Sequence, residues 1–125
     1  MASPSTGNNR IDAGSGDDTI FVSQGDRAFG GDGNDRFFVT TGGGNLLSGG
    51  AGADQFWIFG VEAPSSSNTV LDFQVGTDVI GLVGTGITFA QLSLVGNTIS
   101  LNGTTLAILT GVDTNSLTAS NFQFS

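Results

Sequence analysis

The 125-residue sequence has no cysteine, histidine, lysine or tyrosine, and only 2 prolines. Without cysteine there is no disulfide framework, and without cysteine and histidine there is no zinc finger, haem ligand or iron–sulfur site. Catalytic dyads and triads built on histidine, cysteine or lysine are excluded as well. No apolar run approaches the ~20 residues of a membrane-spanning helix, so membrane insertion is not expected. Positive charge is scarce: Arg10, Arg27 and Arg36 stand against 11 acidic residues, for a formal net charge of −8. Such a polyanion repels nucleic acid and anionic lipid, which removes both as expected partners. The first residues, Met1 to Gly7, lack the basic and apolar regions of a secretory signal peptide. Residues 1–4 read as a disordered or cloning-derived tail.

Glycine and aspartate are what the chain has instead. It holds 21 glycines, and every acidic residue except Glu62 is an aspartate. Hydrophobic residues make up 38%, including 10 phenylalanines, enough for a modest core. The glycines are not scattered. Ala13-Gly-Ser-Gly-Asp-Asp-Thr-Ile-Phe21, Gly30-Gly-Asp-Gly-Asn-Asp-Arg-Phe-Phe38 and Gly49-Gly-Ala-Gly-Ala-Asp-Gln-Phe-Trp57 align without gaps, their starts 17 and 19 residues apart. Weaker copies lie between them: Gly7-Asn-Asn9-Arg-Ile11, Gly25-Asp-Arg-Ala-Phe29 and Gly43-Gly-Asn45-Leu-Leu47.

Each unit has a physical reading. Closely spaced glycines permit a tight loop. The residues after them alternate, as in Thr19-Ile20-Phe21-Val22, Arg36-Phe37-Phe38-Val39 and Gln55-Phe56-Trp57-Ile58. Alternation among β-formers predicts a short strand. A loop and a strand, repeated twice in about 18 residues, make one coil of a parallel solenoid. Ile20, Phe37 and Phe56 are then expected inside one wall, with Ile11, Phe29 and Leu47 facing them.

The phrase Gly-Gly-x-Gly-x-Asp-x-apolar-x, carried over about residues 5–60, resembles the RTX, or hemolysin-type, calcium-binding nonapeptide repeat. The resemblance implies an all-β fold: a right-handed parallel β-roll of about three coils, with Ca²⁺ between successive loops. Neighbouring coils about 4.8 Å apart would place Asp18, Asp35 and Asp54 in a row, where unneutralised like charges repel. Ca²⁺ accepts 6–8 oxygens in a flexible shell, which suits carboxylates combined with loop carbonyls, so at least two ions are expected.

Similarity to the RTX repeats assigns the carboxylates of Asp18, Asp35 and Asp54 as ligands. It assigns backbone carbonyls at Ala13, Ser15 and Asp17, at Gly30, Asp32 and Asn34, and at Gly49 and Ala51. Asp72 and Asp78 are secondary candidates for a third ion. On the opposite edge the sixth loop position reads as Asn9, Arg27 and Asn45. Arg27 argues against complete sites there and leaves Asn9 and Asn45 as secondary candidates. The alternative for the aspartate row is turn capping without metal.

After Phe59 the composition changes. Glu62 to Asn68 is a polar loop, and Thr69–Phe73 and Asp78–Leu82 are strand-like. Thr88–Leu92 reads as one helical turn. Gly96-Asn97 and Asn102-Gly103 are hairpin signals joining Leu92–Val95, Thr98–Leu101 and Thr104–Leu109. Residues 61–125 are therefore expected to form a cap built on an antiparallel β meander, ending in a short helical turn and an edge strand. Leu71-Asp-Phe73 and Gly76–Ile80 resemble the segment that follows the roll in serralysin-type RTX proteins. That resemblance implies a C-terminal signal read by a type I secretion apparatus, and a secreted, extracellular location without an N-terminal signal peptide.

The expected function is calcium-triggered folding of a module in a secreted protein. The alternative is extracellular recognition or adhesion through an outward ladder of Phe21, Phe38 and Trp57, binding a glycan, a surface or a twin subunit. Catalysis is the least expected class. The first coil shows no N-terminal cap, which points to a larger parent chain or to a homodimer through that end.

Overall fold

A computed structural model describes residues 9–39, 43–59, 67–83 and 87–124. The expected tail at 1–4 and most of the polar loop at 62–68 lie outside the described residues.

The alternating segments form short strands in strict succession. They are β1 (Arg10–Asp12), β2 (Thr19–Val22), β3 (Arg27–Phe29), β4 (Arg36–Val39), β5 (Leu46–Ser48), β6 (Gln55–Phe59), β7 (Asn68–Val70) and β8 (Val79–Leu82). Odd and even strands separate into two sheets. β1, β3, β5 and β7 pair in parallel in one sheet, and β2, β4, β6 and β8 pair in parallel in the other. This is the parallel β-roll. β7 and β8 extend its pairing by a fourth turn, past the change in composition at residue 60.

The register explains the core. Ile20, Phe37, Phe56 and Ile80 align across β2, β4, β6 and β8, all fully buried. The Phe37 and Phe56 rings stack 5.0 Å apart. From the facing sheet come Ile11, Ala28, Leu47 and Val70, also aligned and buried. Each large side chain removed from water in this way stabilises by about 1.5–3 kcal/mol.

Ala28, not Phe29, is the inward residue of β3. Phe29 is half-buried on the outer face, under the Arg10 guanidinium at 4.7 Å. The reason is the turn before it. The loops that enter β2, β4 and β6 have six residues, whereas only Ser23–Asp26 separate β2 from β3. That short turn shifts β3 out of the register expected from a uniform repeat. It also accounts for the 17-residue spacing between the first two strong copies.

The C-terminal meander forms as expected, from β9 (Leu92–Val95), β10 (Thr98–Leu101) and β11 (Thr104–Leu109). Asn102 and Gly103 both adopt positive φ, 52° and 81°, as the second hairpin turn demands. β11 joins β7 in parallel, and the last strand, β12 (Phe122–Phe124), joins β8 in parallel. The cap thus covers both sheets at the C-terminal end, while among the described residues β1 and β2 are the edge strands at the other. Single 3₁₀ turns at Phe89–Gln91, Thr114–Ser116 and Ala119–Asn121 are the described helical elements.

On the outer face of the five-stranded sheet, Phe21, Phe38 and Trp57 stack with centroids 5.5 and 6.0 Å apart and planes 23° and 12° apart. Trp57 donates its indole N–H to Gln55 Oε1 at 3.1 Å. Its ring lies over Gly81, where any Cβ would collide with the indole.

Candidate metal centre

The three strong repeats place their loops, residues 13–18, 30–35 and 49–54, on one edge of the roll. The loops stack tightly. Gly31 (φ 83°) and Gly33 (φ 110°) hold a left-handed backbone, and a Cβ on either would strike the carbonyl oxygen of Gly14 or Gly16 in the loop before.

Within this stack the sixth-position aspartates form a hydrogen-bonded row. The Asp18 amide donates to Asp35 Oδ1 at 2.9 Å, the Asp35 amide to Asp54 Oδ1 at 2.8 Å, and the Asp54 amide to Asp78 Oδ1 at 2.9 Å. Asp35 and Asp54 are almost wholly buried, at 0% and 1% exposure. The second oxygens of these two residues, Asp35 Oδ2 and Asp54 Oδ2, are buried with no hydrogen-bond partner. They tuck against the first glycine of their own loops: a Cβ on Gly30 would collide with Asp35 Oδ2, and one on Gly49 with Asp54 Oδ2.

Asp78 ends the row differently. Its Oδ2 accepts the Gln74 amide at 2.8 Å. Asp72 closes the third loop, taking the Gly49 amide at 3.0 Å, the Gly50 amide at 2.9 Å and the Ser48 hydroxyl at 2.9 Å.

A second row runs at the fifth position in the opposite sense. The Asn34 amide donates to Asp17 Oδ1 at 2.7 Å, and the Ala53 amide to Asn34 Oδ1 at 2.8 Å. Consecutive loops are therefore latched by hydrogen bonds pointing both ways. Only the fifth-position backbone was expected to have a role; the side-chain latch was not. Its signal is the sequence Asp17, Asn34, Ala53, in which the acceptor vanishes at the last loop.

The electrostatics follow from burial. Desolvation pushes the Asp54 carboxyl up to about 7, the charges of Asp78, Asp35 and Asp72 adding to it, while the hydrogen bond from the Asp35 amide acts the other way. Desolvation likewise raises Asp35 and Asp78. These are carboxylates short of a counter-charge.

Of the other expected ligands, Ala13, Ser15, Gly30, Asp32, Gly49 and Ala51 occupy equivalent positions on the three stacked loops. Ser15, Asp17, Asp32, Asn34 and Ala51 are exposed. Among the described residues no three carboxylates converge on one point. A complete shell would therefore need the loop carbonyls as well. Hard oxygen donors, two orphaned buried carboxylate oxygens and a raised proton affinity all fit a bound Ca²⁺.

On the opposite edge the sixth position of the second turn is Asp26, not Arg27. Arg27 begins β3 and pairs in register with Arg10 and Leu46. The four-residue turn Ser23–Asp26 causes this shift too.

The fold and this edge define a parallel β-roll with a carboxylate row between glycine-rich loops. The pattern of the RTX calcium-binding nonapeptide repeat (4 copies) matches residues 5–27, 25–42 and 39–57, and this part of the chain is an RTX repeat module. Among solved structures the chain is similar to the AlgE6R3 subunit from the Azotobacter vinelandii mannuronan C5-epimerase, in solution, at 23% identity. That match covers 99% of this chain and 83% of the other, with a TM-score of 0.49. Comparison with curated proteins finds no match.

Proposed function

We propose that the chain is a calcium-triggered folding and stability module of a secreted protein. The observation that carries this reading is the pair of buried, unpartnered oxygens on Asp35 and Asp54. An unpaired buried charge is expensive to keep. Bound Ca²⁺ supplies the counter-charge and oxygen coordination that relieve it. Asp35 and Asp54, with Asp18 beside them, would hold at least two ions, with carbonyls of residues 13, 15, 17, 30, 32, 34, 49 and 51 in the shell.

The chain's own residues do the rest. The amides of Asp18 and Asp35 fix one oxygen of the next carboxylate, Asp35 and Asp54 respectively, and leave the other for the cation. Glycine-rich loops lose much backbone entropy on ordering, so without ions the stacked state is weakly favoured. An ion that binds only the folded state adds about 2.7 kcal/mol at a free concentration 100 times its Kd. Scarce calcium inside a cell and abundant calcium outside would keep the chain loose before export and folded after it. The serralysin-like resemblance around Leu71–Ile80 supports export by a type I apparatus. Among the described residues β1 and β2 are the edge strands at that end, which supports a twin subunit there.

The test is a calcium titration followed by far-ultraviolet circular dichroism. Strand signal should appear with Ca²⁺ and fade with chelator. A signal indifferent to both would sink the reading. Recognition through Phe21, Phe38 and Trp57 is less favoured, because the rings stack on one another and Trp57 on Gly81. The row then serves as a brace along the sheet.

A further inference from the structure

The two edges of the roll follow one hydrogen-bonding rule with different second atoms. Opposite the aspartate row, the Asn9 amide donates to Asp26 Oδ1 at 2.8 Å. The Asp26 amide donates to Asn45 Oδ1 at 2.8 Å, and the Asn45 amide to Asn68 Oδ1 at 3.2 Å. The arrangement matches that of Asp18, Asp35, Asp54 and Asp78.

The remaining atoms of Asp26 and Asn45, however, are engaged. Asp26 Oδ2 accepts the Ser23 amide at 2.9 Å and lies 3.4 Å from the Ser23 hydroxyl. Asn45 Nδ2 donates to the Ser23 carbonyl at 3.1 Å and to Asn68 Oδ1 at 2.8 Å. Asn68 Nδ2, buried with no hydrogen-bond partner, is a donor and unfit to face a cation. All three residues are fully buried.

We propose that this edge is locked without metal, and that Asn45 is the residue that decides it. Its amide nitrogen supplies the positive end that a cation would supply between two oxygen donors, here Ser23 O and Asn68 Oδ1. A carboxylate at the same place would face those oxygens with no donor between them. The short turn Ser23–Asp26 contributes by folding the Ser23 amide onto Asp26, which leaves that carboxylate satisfied. The roll is thus metal-dependent along one edge and self-sufficient along the other. The contrast with the facing edge rests on the calcium reading above.

The test uses the full chain, with bound Ca²⁺ counted by native mass spectrometry and thermal melts run in chelator and in Ca²⁺. Asn45→Asp should lower the melting temperature in chelator by roughly 5 °C or more, recover in Ca²⁺, and bind one more ion than the unaltered chain. Asp26→Asn keeps the Oδ1 acceptor and should leave the ion count unchanged. An Asn45→Asp chain with unaltered count and unaltered melting in chelator overturns the proposal. Loss of an ion in Asp26→Asn also overturns it, and decides the matter if Asn45→Asp does not fold. If the unaltered chain binds no ion, the calcium reading fails by itself. The melting of Asn45→Asp in chelator still tests the lock.

Discussion

The backbone amide of Asp35 donates to Oδ1 of Asp54 at 2.8 Å, and the two residues each retain a buried Oδ2 with no hydrogen-bond partner. That bond fixes the Asp54 carboxylate against the loop before it, as the Asp18 amide fixes the Asp35 carboxylate. Among the three repeat loops Asp35 is the middle aspartate, with Asp18 on one side and Asp54 on the other.

For that reason Asp35→Ala should weaken calcium binding more than any other single aspartate change. A loss of roughly tenfold or more in affinity, 1.4 kcal/mol, is expected by isothermal titration. Asp12→Ala, on an exposed strand position paired with Arg10, should leave affinity unchanged. Equal effects from the two would contradict the assigned row.

The pH dependence should have opposite signs with and without metal. The Asp54 carboxyl rises from 3.8 to about 7 in the fold. A group raised in the folded state contributes stability that is full below the unfolded value and is lost as pH rises through the folded one. In chelator the chain should therefore melt higher at pH 5 than at pH 8. Calcium affinity should instead increase over the same interval, because the ion competes with the proton. Flat melting curves in chelator across this range would contradict it.

Gly33→Ala should destabilise whether or not calcium is present. The position has φ 110°, and its Cβ would strike the Gly16 carbonyl. The expected cost is on the order of 1–3 kcal/mol, read as a lower melting temperature in both conditions. A change seen only in chelator would mean that calcium, and not the glycine backbone, sets the loop spacing.

Gly81→Ala should displace the Trp57 indole from the backbone it covers. A red shift of tryptophan emission is expected, with calcium affinity unchanged, since the ladder and the metal edge are separate features. An unshifted spectrum would show that the ring does not rest on β8.

Much of this architecture was readable from residue order. The alternation in Thr19–Val22, Arg36–Val39 and Gln55–Ile58 gave the strands and their inward side chains, because glycine loops of equal length kept those segments in phase. The meander was legible from Gly96-Asn97 and Asn102-Gly103, whose backbone demands are local. Phe29 and Arg27 depart from the positions a uniform repeat predicts because the Ser23–Asp26 turn is two residues shorter than the six-residue loops that enter β2, β4 and β6, and side-chain direction reverses with a one-residue shift. The closing contacts of Asp72 and Asp78 depend on chain returning from more than twenty residues away, as in the Gly49 amide to Asp72 Oδ1 bond. No local pattern announces such a contact. The polar lock of Asn45 was hidden for the same reason: it is a property of three turns together.

The row of aspartates also polarises the molecule. Asp17, Asp18, Asp32, Asp35 and Asp54 gather on one edge with Arg36, while Arg10 and Arg27 begin strands at the other beside Asp26, so the excess of negative charge lies on the first edge. The metal-free roll therefore carries an electric dipole across its width, and it would approach a cationic surface edge first. Two bound Ca²⁺ would cancel four charges on the negative side alone. Calcium would then change which way the molecule points in a field, in addition to how firmly it holds together.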